Sequence, residues 1–288
     1  MHPIFYEIKE ALRGCCSESE AMSLAKMLLV EVLGFSTLEL YGGKDRVISE
    51  KEHARLKDIL VRLQQNEPIQ YILGSEMFCG LSFDVNQSVL IPRPETQELV
   101  EWILADHRGK RNCKVLDIGT GSGCIAISLA NSLQEPQVEA WDVSDNALQV
   151  AQGNAAKNQV EVRFLKRDVL TTEPQASDLD ILVSNPPYIM DEEKREMDAN
   201  VLDWEPGLAL FVQDNDPLLF YRKIATLGRT LLKPGGALYF EINRAYGREM
   251  VEMLAGKGYT QIELRKDLSG NDRMIKAVKL DDKGMFVG

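Results

Sequence analysis

Seven residues, Asp117-Ile118-Gly119-Thr120-Gly121-Ser122-Gly123, constrain this chain more than any other segment. An apolar run, Val115-Leu116-Asp117-Ile118, leads into them, and a helix-compatible stretch from Ile125 to Leu133 follows. Such a chain leaves a buried strand, turns sharply on residues without a Cβ, and enters a helix. The helix start offers unpaired N–H groups and the positive end of a dipole, where a ligand carboxylate or phosphate can sit. The spacing is Gly-x-Gly-x-Gly, not the Gly-x-Gly-x-x-Gly of dinucleotide-binding folds. A tight strand-to-helix turn would explain the loop equally well, so its meaning depends on what surrounds it.

The surroundings are a strand–helix rhythm that begins near Lys114. Strands are expected at Val138–Asp142, Val162–Leu165, Leu179–Val183 and Ala237–Ile242, with a terminal pair at Gln261–Leu264 and Met274–Val278. Helices are expected after Ser144, over Leu218–Leu232 and over Tyr246–Leu254, with Lys233-Pro234-Gly235-Gly236 as a turn. This alternation predicts an α/β domain with a mostly parallel sheet covered on both faces. Asp142 ends the strand after the glycine loop, where doubly wound folds place an acid that accepts from ribose hydroxyls. Asp168 closes the next strand region and could accept from an adenine amino group. Either acid alone reads equally as a cap or turn residue. Together with the loop they favour a nucleoside ligand.

Residues before this domain read as helices. Ile4–Leu12 has helical apolar spacing and stops at Gly14. Ser17 or Ser19 can cap a helix in which Met22, Ala25, Leu28, Leu29 and Val32 recur. Ser49-Glu50-Lys51-Glu52 is a capping-box pattern opening a helix that buries Leu56, Ile59, Leu60 and Leu63. A small helical bundle over 1–70 is the expectation. Tyr71–Phe78 and Leu81–Val85 read as β-type runs around Cys79-Gly80, giving a hairpin linker over 71–92. Pro92 and Pro94 keep Ile91–Arg93 extended, and Pro94 suits the first turn of a helix through Ile103. The catalytic domain would then span 93–288.

Val183-Ser184-Asn185-Pro186-Pro187-Tyr188 is the most specific segment. Two prolines remove two N–H donors and stiffen the chain, which leaves the carbonyls of Asn185 and Pro186 free to accept. Asn185 adds a side-chain carbonyl and Tyr188 a flat aromatic face. That array suits a planar nitrogen bearing hydrogens, such as an amide or an aromatic amine. Asn-Pro is also a common turn signal, but its place after a strand of a nucleoside-binding sheet favours the chemical reading.

Other chemistries are excluded by count. The five cysteines, Cys15, Cys16, Cys79, Cys113 and Cys124, contain no Cys-x-x-Cys pair and fit neither a disulfide framework nor a zinc site. The histidines are His2, His53 and His107, none beside a glycine or proline motif, which argues against a Ser-His-Asp hydrolase or a His-ligated metal. With 33 basic and 44 acidic residues the net charge is −11, which disfavours a protein that wraps nucleic acid. No run approaches the roughly 18 apolar residues of a membrane span, and the first residues lack a signal or transit pattern. A soluble cytoplasmic protein is expected.

On these residues the chain resembles a class I S-adenosylmethionine-dependent methyltransferase, and more closely the bacterial release factor glutamine methyltransferases of the PrmC/HemK family. The resemblance covers nearly the whole length. It includes the glycine loop, Asp142, Asn-Pro-Pro-Tyr, Gln70-Tyr71-Ile72-Leu73-Gly74, Phe78-Cys79-Gly80-Leu81, Leu90-Ile91-Pro92-Arg93-Pro94-Glu95-Thr96 and Leu232-Lys233-Pro234-Gly235-Gly236. Arg-Pro-Glu-Thr together with Asn-Pro-Pro-Tyr separates the family from most other amino-methyltransferases.

The resemblance implies a Rossmann-like sheet of seven strands with its last pair antiparallel, behind an N-terminal helical bundle that docks the release factor. It implies methylation, at side-chain N5, of the glutamine in the Gly-Gly-Gln motif of class 1 peptide chain release factors. S-adenosyl-L-methionine is the implied donor and S-adenosyl-L-homocysteine the product, with no metal, no membrane and no stable nucleic acid. Gly119, Thr120, Gly121, Ser122, Gly123, Asp142, Asp168, Val169 and Asn185 would hold the cofactor. Some relatives carry Trp where this chain has Val169. Asn185, Pro186 and Tyr188 would be catalytic, and Pro187, Arg93 and Glu95 would join them around the substrate. Arg93 and Glu95 fit an interdomain hinge equally well. The competing functions are an adenine-N6 methyltransferase acting on DNA or RNA, which uses the same kind of amine grip, and a non-catalytic cofactor-binding scaffold. An NAD-dependent oxidoreductase is disfavoured by the glycine spacing.

Overall fold

The computed structural model describes residues 1–42, 46–212 and 216–280. These form two compact units, one of Met1–Leu73 with Asp198–Trp204, the other of the remaining residues. In the first, α1 (Pro3–Ala11) starts on His2, whose ring accepts from the Ile4 N–H. Helix α2 (Glu18–Met27) is capped by Ser17, the nearer of the two expected serines, and passes into a π turn at Leu28–Val32. Helices α3 (Thr37–Tyr41) and α4 (Glu50–Leu63) each open on a complete capping box, Ser36 with Glu39 and Ser49 with Glu52. Ile8, Ala25, Leu28, Leu29, Leu56 and Ile59 share one core. Met22, expected on the inner face, is exposed, and Ala21 takes the buried position instead.

Tyr71–Leu73, expected as extended, belong to a helical turn α5 (Ile69–Leu73). The Pro68 carbonyl accepts from both the Tyr71 and Ile72 N–H groups, at 3.0 and 3.1 Å. The extended run therefore starts later, with β1 (Ser75–Phe78) and β2 (Leu81–Asp84). Cys79 (φ 49°) and Gly80 (φ 75°) turn this hairpin with both central residues left-handed. The hairpin groups with the second unit.

In that unit α6 (Pro94–Asp106) precedes β3 (Lys114–Ile118), α7 (Cys124–Ser132), β4 (Gln137–Asp142), α8 (Asp145–Lys157), β5 (Arg163–Lys166) and β6 (Leu179–Ser184). A two-residue pair follows, β7 (Ile189–Met190) with β8 (Phe211–Val212), and between them lie α9 (Ala199–Trp204) of the first unit and α10 (Gly207–Leu210). The described chain continues through α11 (Leu219–Leu231), β9 (Leu232–Glu241), α12 (Gly247–Gly256), β10 (Tyr259–Lys266) and β11 (Asp272–Lys279).

The seven-stranded sheet has the order β10-β11-β9-β6-β3-β4-β5. Strand β11 runs antiparallel to both of its neighbours, and β9, β6, β3, β4 and β5 are mutually parallel. The strands are apolar on both faces because both are covered. Val115, Ile181, Val183 and Tyr239 pack on one side with Leu99 and Ile103 of α6 and Ile127 of α7. Leu116, Ile118, Leu182, Leu238 and Phe240 pack on the other with Ile224 of α11 and Met250 of α12. The expected turn at Lys233–Gly236 is a bulge inside β9. Leu179 pairs with Leu232 and Ile181 with Ala237, so four residues of β9 stand opposite the single Asp180 of β6.

One buried side chain ties the hairpin to the glycine loop. Asn154 of α8 is fully buried. Its amide accepts from the Asp84 N–H at 2.6 Å and donates to the carbonyls of Asp84 (3.0 Å) and Ser122 (2.9 Å). Asn154→Ala should cost about 1–3 kcal/mol, because it strands buried backbone groups. The readout is a lower urea midpoint at unchanged slope. An unchanged midpoint would show that the three bonds carry no net stability.

Candidate active site

Strand register brings the motifs together. Ile118 of β3 lies level with Trp141 of β4 and Ser184 of β6. Their successors Gly119, Asp142 and Asn185 therefore sit side by side at the carboxyl edge of the sheet. The Trp141 carbonyl accepts from the N–H groups of Gly119 (2.8 Å) and Thr120 (3.0 Å), which folds the loop over β4. A Cβ on Gly119 would stand 4.0 Å from the Asn185 carbonyl oxygen. Asp117, fully buried beneath, accepts from Thr120 Oγ1 at 2.6 Å. Burial pushes its pKa up to about 7, against the Thr120 hydroxyl and the Ala126 N–H, with the nearby Asp142 charge adding to the rise.

Gly119, Gly121 and Gly123 all have positive φ, at 76°, 54° and 82°. The space that a Cβ on Gly121 would enter is open, and Gly123 caps α7. Ser122 is buried and its carbonyl is held by Asn154. Asp142 accepts from the N–H groups of Gly121 and Ser144, each at 2.9 Å, one on each oxygen. A carboxylate has about four acceptor positions, so both oxygens keep capacity for a ligand hydroxyl. Asp168 closes a turn of its own. Its Oδ1 accepts from Leu170 N–H (2.9 Å), and its carbonyl accepts from the N–H groups of Thr171 and Thr172. It is half-buried, with Val169 beside it packed against the core.

Asn185 is half-buried and Pro186 buried. Asn185 Nδ2 donates to Thr96 Oγ1 at 3.3 Å, and Asn185 Oδ1 has no donor among the described residues. Tyr188 turns its hydroxyl inward to Glu241 Oε1 (3.1 Å), and its carbonyl accepts from Asn243 Nδ2 (3.2 Å). Glu241 is 1 % exposed and also accepts from Thr96 Oγ1 at 2.6 Å. Burial raises its pKa, opposed by the two hydroxyls and the Arg273 charge, with Glu95 adding to the rise. Arg93 ion-pairs with Glu205, a buried acid that also accepts from the Ile91 N–H. Its guanidinium thus fastens the extended Ile91–Arg93 segment. Glu95 is half-buried in the first turn of α6.

Thr96, Glu241, Asn243 and Asn154 were not singled out from sequence as site residues. Thr96 stood inside the quoted Arg-Pro-Glu-Thr segment. Glu241 ends a strand as Asp142 does, a signal that was available. Asn243 reaches the Tyr188 carbonyl 55 residues away and Asn154 reaches Asp84 70 residues away, contacts that no local pattern shows.

A family model described as "PrmC N-terminal domain" matches residues 6–74, and "Methyltransferase small domain" matches residues 77–202. The chain is 48% identical over 278 residues to the release factor glutamine methyltransferase of Bacteroides thetaiotaomicron, covering 96% of this chain and 99% of that one. The relative of the same description from Flavobacterium psychrophilum is 47% identical over 270 residues, covering 93% and 95%. That of Bacillus subtilis is 36% identical over 285 residues, covering 96% and 98%. Among solved structures, the hMettl16 catalytic domain in complex with an RNA hairpin superposes with a TM-score of 0.56 at 17% identity, covering 81% of this chain and 84% of that one. A methyltransferase from Pyrococcus furiosus gives 0.52 at 17%, covering 78% and 100%. At those identities the likeness is one of fold.

The loop glycines should differ in tolerance. Gly121→Ala meets no atom within 4 Å and costs only left-handed backbone strain, about 1–2 kcal/mol. A Cβ on Gly123 would lie 2.8 Å from Ile127 Cδ1 and 3.2 Å from Ala151 Cβ, adding roughly 1–3 kcal/mol of overpacking. Urea midpoints should fall in that order, and equal midpoints would contradict the packing account.

Proposed function

We infer that this chain, which belongs to the release factor glutamine methyltransferase family, methylates the side-chain N5 of the glutamine in the Gly-Gly-Gln motif of class 1 peptide chain release factors. S-adenosyl-L-methionine is the methyl donor and S-adenosyl-L-homocysteine the product. The observation that carries the reading is the free Oδ1 of Asn185, held beside a glycine loop of open, positive-φ geometry. That loop suits the donor. It has open space beside Gly121, helix N–H groups for a carboxylate, and in Asp142 an acceptor for ribose hydroxyls.

Gly119–Gly123, Asp142, Asp168, Val169 and Asn185 would hold the donor, with Asp168 and Val169 toward the adenine. When bound, the donor supplies an electrophilic methyl group on a positively charged sulfur. Asn185 Oδ1 and the Pro186 carbonyl accept the two N–H groups of the substrate amide. An amide nitrogen is a poor nucleophile because its lone pair is delocalised. Gripping both N–H groups orients that lone pair and favours its pyramidal form. Pro187 and Tyr188 stiffen the grip, and Arg93 and Glu95 border the approach. The grip would aim the nitrogen lone pair at that methyl carbon, whose bonding pair would return to sulfur, and the amide proton would leave to water. Positioning of this kind can supply on the order of 7–11 kcal/mol in favourable cases.

The helical unit, Met1–Leu73 with Asp198–Trp204, docks the release factor, and the hairpin of β1 and β2 belongs to the methyltransferase unit that follows it in the chain. The enzyme acts in the cytoplasm without a stable nucleic-acid complex, in keeping with its net charge of −11. Among the described residues no helix is long and apolar enough to cross a membrane.

The test is incubation of the full chain with purified release factor and methyl-labelled donor, followed by mass mapping of the labelled residue. Label on the glutamine supports the reading, whereas label on added DNA or RNA in its place overturns it. Two variants should separate the roles. Asn185→Ala should lose turnover on the order of 10²–10³-fold, as sites that lose one oriented polar contact do, while retaining much of its calorimetric affinity for the donor, which Gly119–Gly123 and Asp142 still hold. Asp142→Ala should weaken donor binding on the order of 10–100-fold. Near-normal turnover of the first, or unchanged affinity of the second, would remove the assignment.

A further inference from the structure

We propose that Thr96 and Glu241 are positioning residues that fix which end of the Asn185 carboxamide faces the substrate. The argument is one of proton count. Thr96 has a single hydroxyl proton, and with Glu241 ionised that proton goes to its Oε2, 2.6 Å away. Thr96 Oγ1 can then only accept. The group of Asn185 that faces it at 3.3 Å must therefore be the NH₂. Asn185 Oδ1 is left pointing away from Thr96, without a protein donor among the described residues, as the acceptor an amide N–H needs.

Were the Thr96 proton turned toward Asn185, the carboxamide would flip. It would then present NH₂ to the substrate nitrogen, donor against donor. Glu241 prevents this by accepting twice, from Thr96 on one oxygen and from Tyr188 on the other. Both of its ends are occupied by hydroxyl protons, and it is buried from water that could replace them. The device also joins the Arg-Pro-Glu-Thr segment to Asn-Pro-Pro-Tyr, since Thr96 lies in one and Asn185 and Tyr188 in the other. Arg273 supplies positive charge near the carboxylate, and Glu95 is the opposing acid on α6.

The proposal rests on the functional reading above for its kinetic consequence, but its hydrogen-bond core can be read without any substrate. Thr96→Val removes the hydroxyl at nearly constant volume, and Thr96→Ser keeps it. Thr96→Val should lose kcat about 10–100-fold while its donor affinity stays within about twofold by calorimetry. Thr96→Ser should stay within about threefold of the parent kcat. Glu241→Gln places an amide where both hydroxyls need an acceptor, and it should lose kcat while still binding the donor. A Thr96→Val or Glu241→Gln enzyme with parent kcat, or a Thr96→Ser enzyme as impaired as Thr96→Val, would overturn the proposal.

The substrate-free readout uses protein labelled with ¹⁵N-asparagine, with the Asn185 side-chain signal assigned by its loss in Asn185→Ala. One Nδ2 proton should exchange slowly with water in the parent and Thr96→Ser chains and quickly in Thr96→Val. Equal exchange in all three would overturn the proposal even if release factor is methylated. Slow exchange in a parent chain that methylates no release factor would overturn the functional reading alone.

Discussion

Ser184 Oγ donates to the Ile118 carbonyl at 2.6 Å, fully buried at the end of two parallel strands. That bond closes the register in which Ile118 lies level with Ser184. Everything at the site inherits this alignment. Gly119 and Asn185 are the next residues on each strand, so the glycine loop and the acceptor cluster emerge at one height. A slip of two residues preserves which side chains face each core, yet it moves one strand about 6–7 Å along the other. The cores alone would tolerate that slip far better than the site would.

The site is polar but stands on buried apolar layers, and its energetic risk lies in the acids beneath it. Asp117 and Glu241 are both removed from water. An unpartnered buried carboxylate is costly, whereas one that accepts from fixed donors becomes a rigid anchor. Asp117 anchors the glycine loop through Thr120, and Glu241 anchors the start of α6 and the turn after β6 through Thr96 and Tyr188. One acid thus secures the glycine loop and the other the segments that carry Thr96 and Tyr188.

The strands and the main motifs were legible in sequence because their signals are local. An apolar run that ends in Asp-x-Gly or Ser-Asn-Pro-Pro states both the strand and where it stops. Ser49 with Glu52 states a helix start, and the structure has the complete box. Failures came where tertiary packing or a specific hydrogen bond overrides the local pattern. Met22 matched the helical period but is exposed, because Ala21 faces the core that the other helices build. Tyr71–Leu73 looked extended by composition, but the Pro68 carbonyl holds them in a turn. Asp168 could be seen as a strand-end acid, yet not that its Oδ1 is occupied by Leu170. The Thr96–Glu241 bond spans 145 residues, and no spacing rule reaches that far.

Strand β11 lies between β9 and β10, although it follows both in the chain. A ribosome therefore makes its two flanking neighbours before the strand that must separate them. Until Asp272–Lys279 emerges, β9 and β10 each display a bare ladder of backbone groups toward an empty slot. Joining those two ladders directly would be the readiest error for the nascent chain, and one that has to be undone before the last strand can be inserted. Completion of this sheet is thus a late event in synthesis, well after the residues of the cleft have been made.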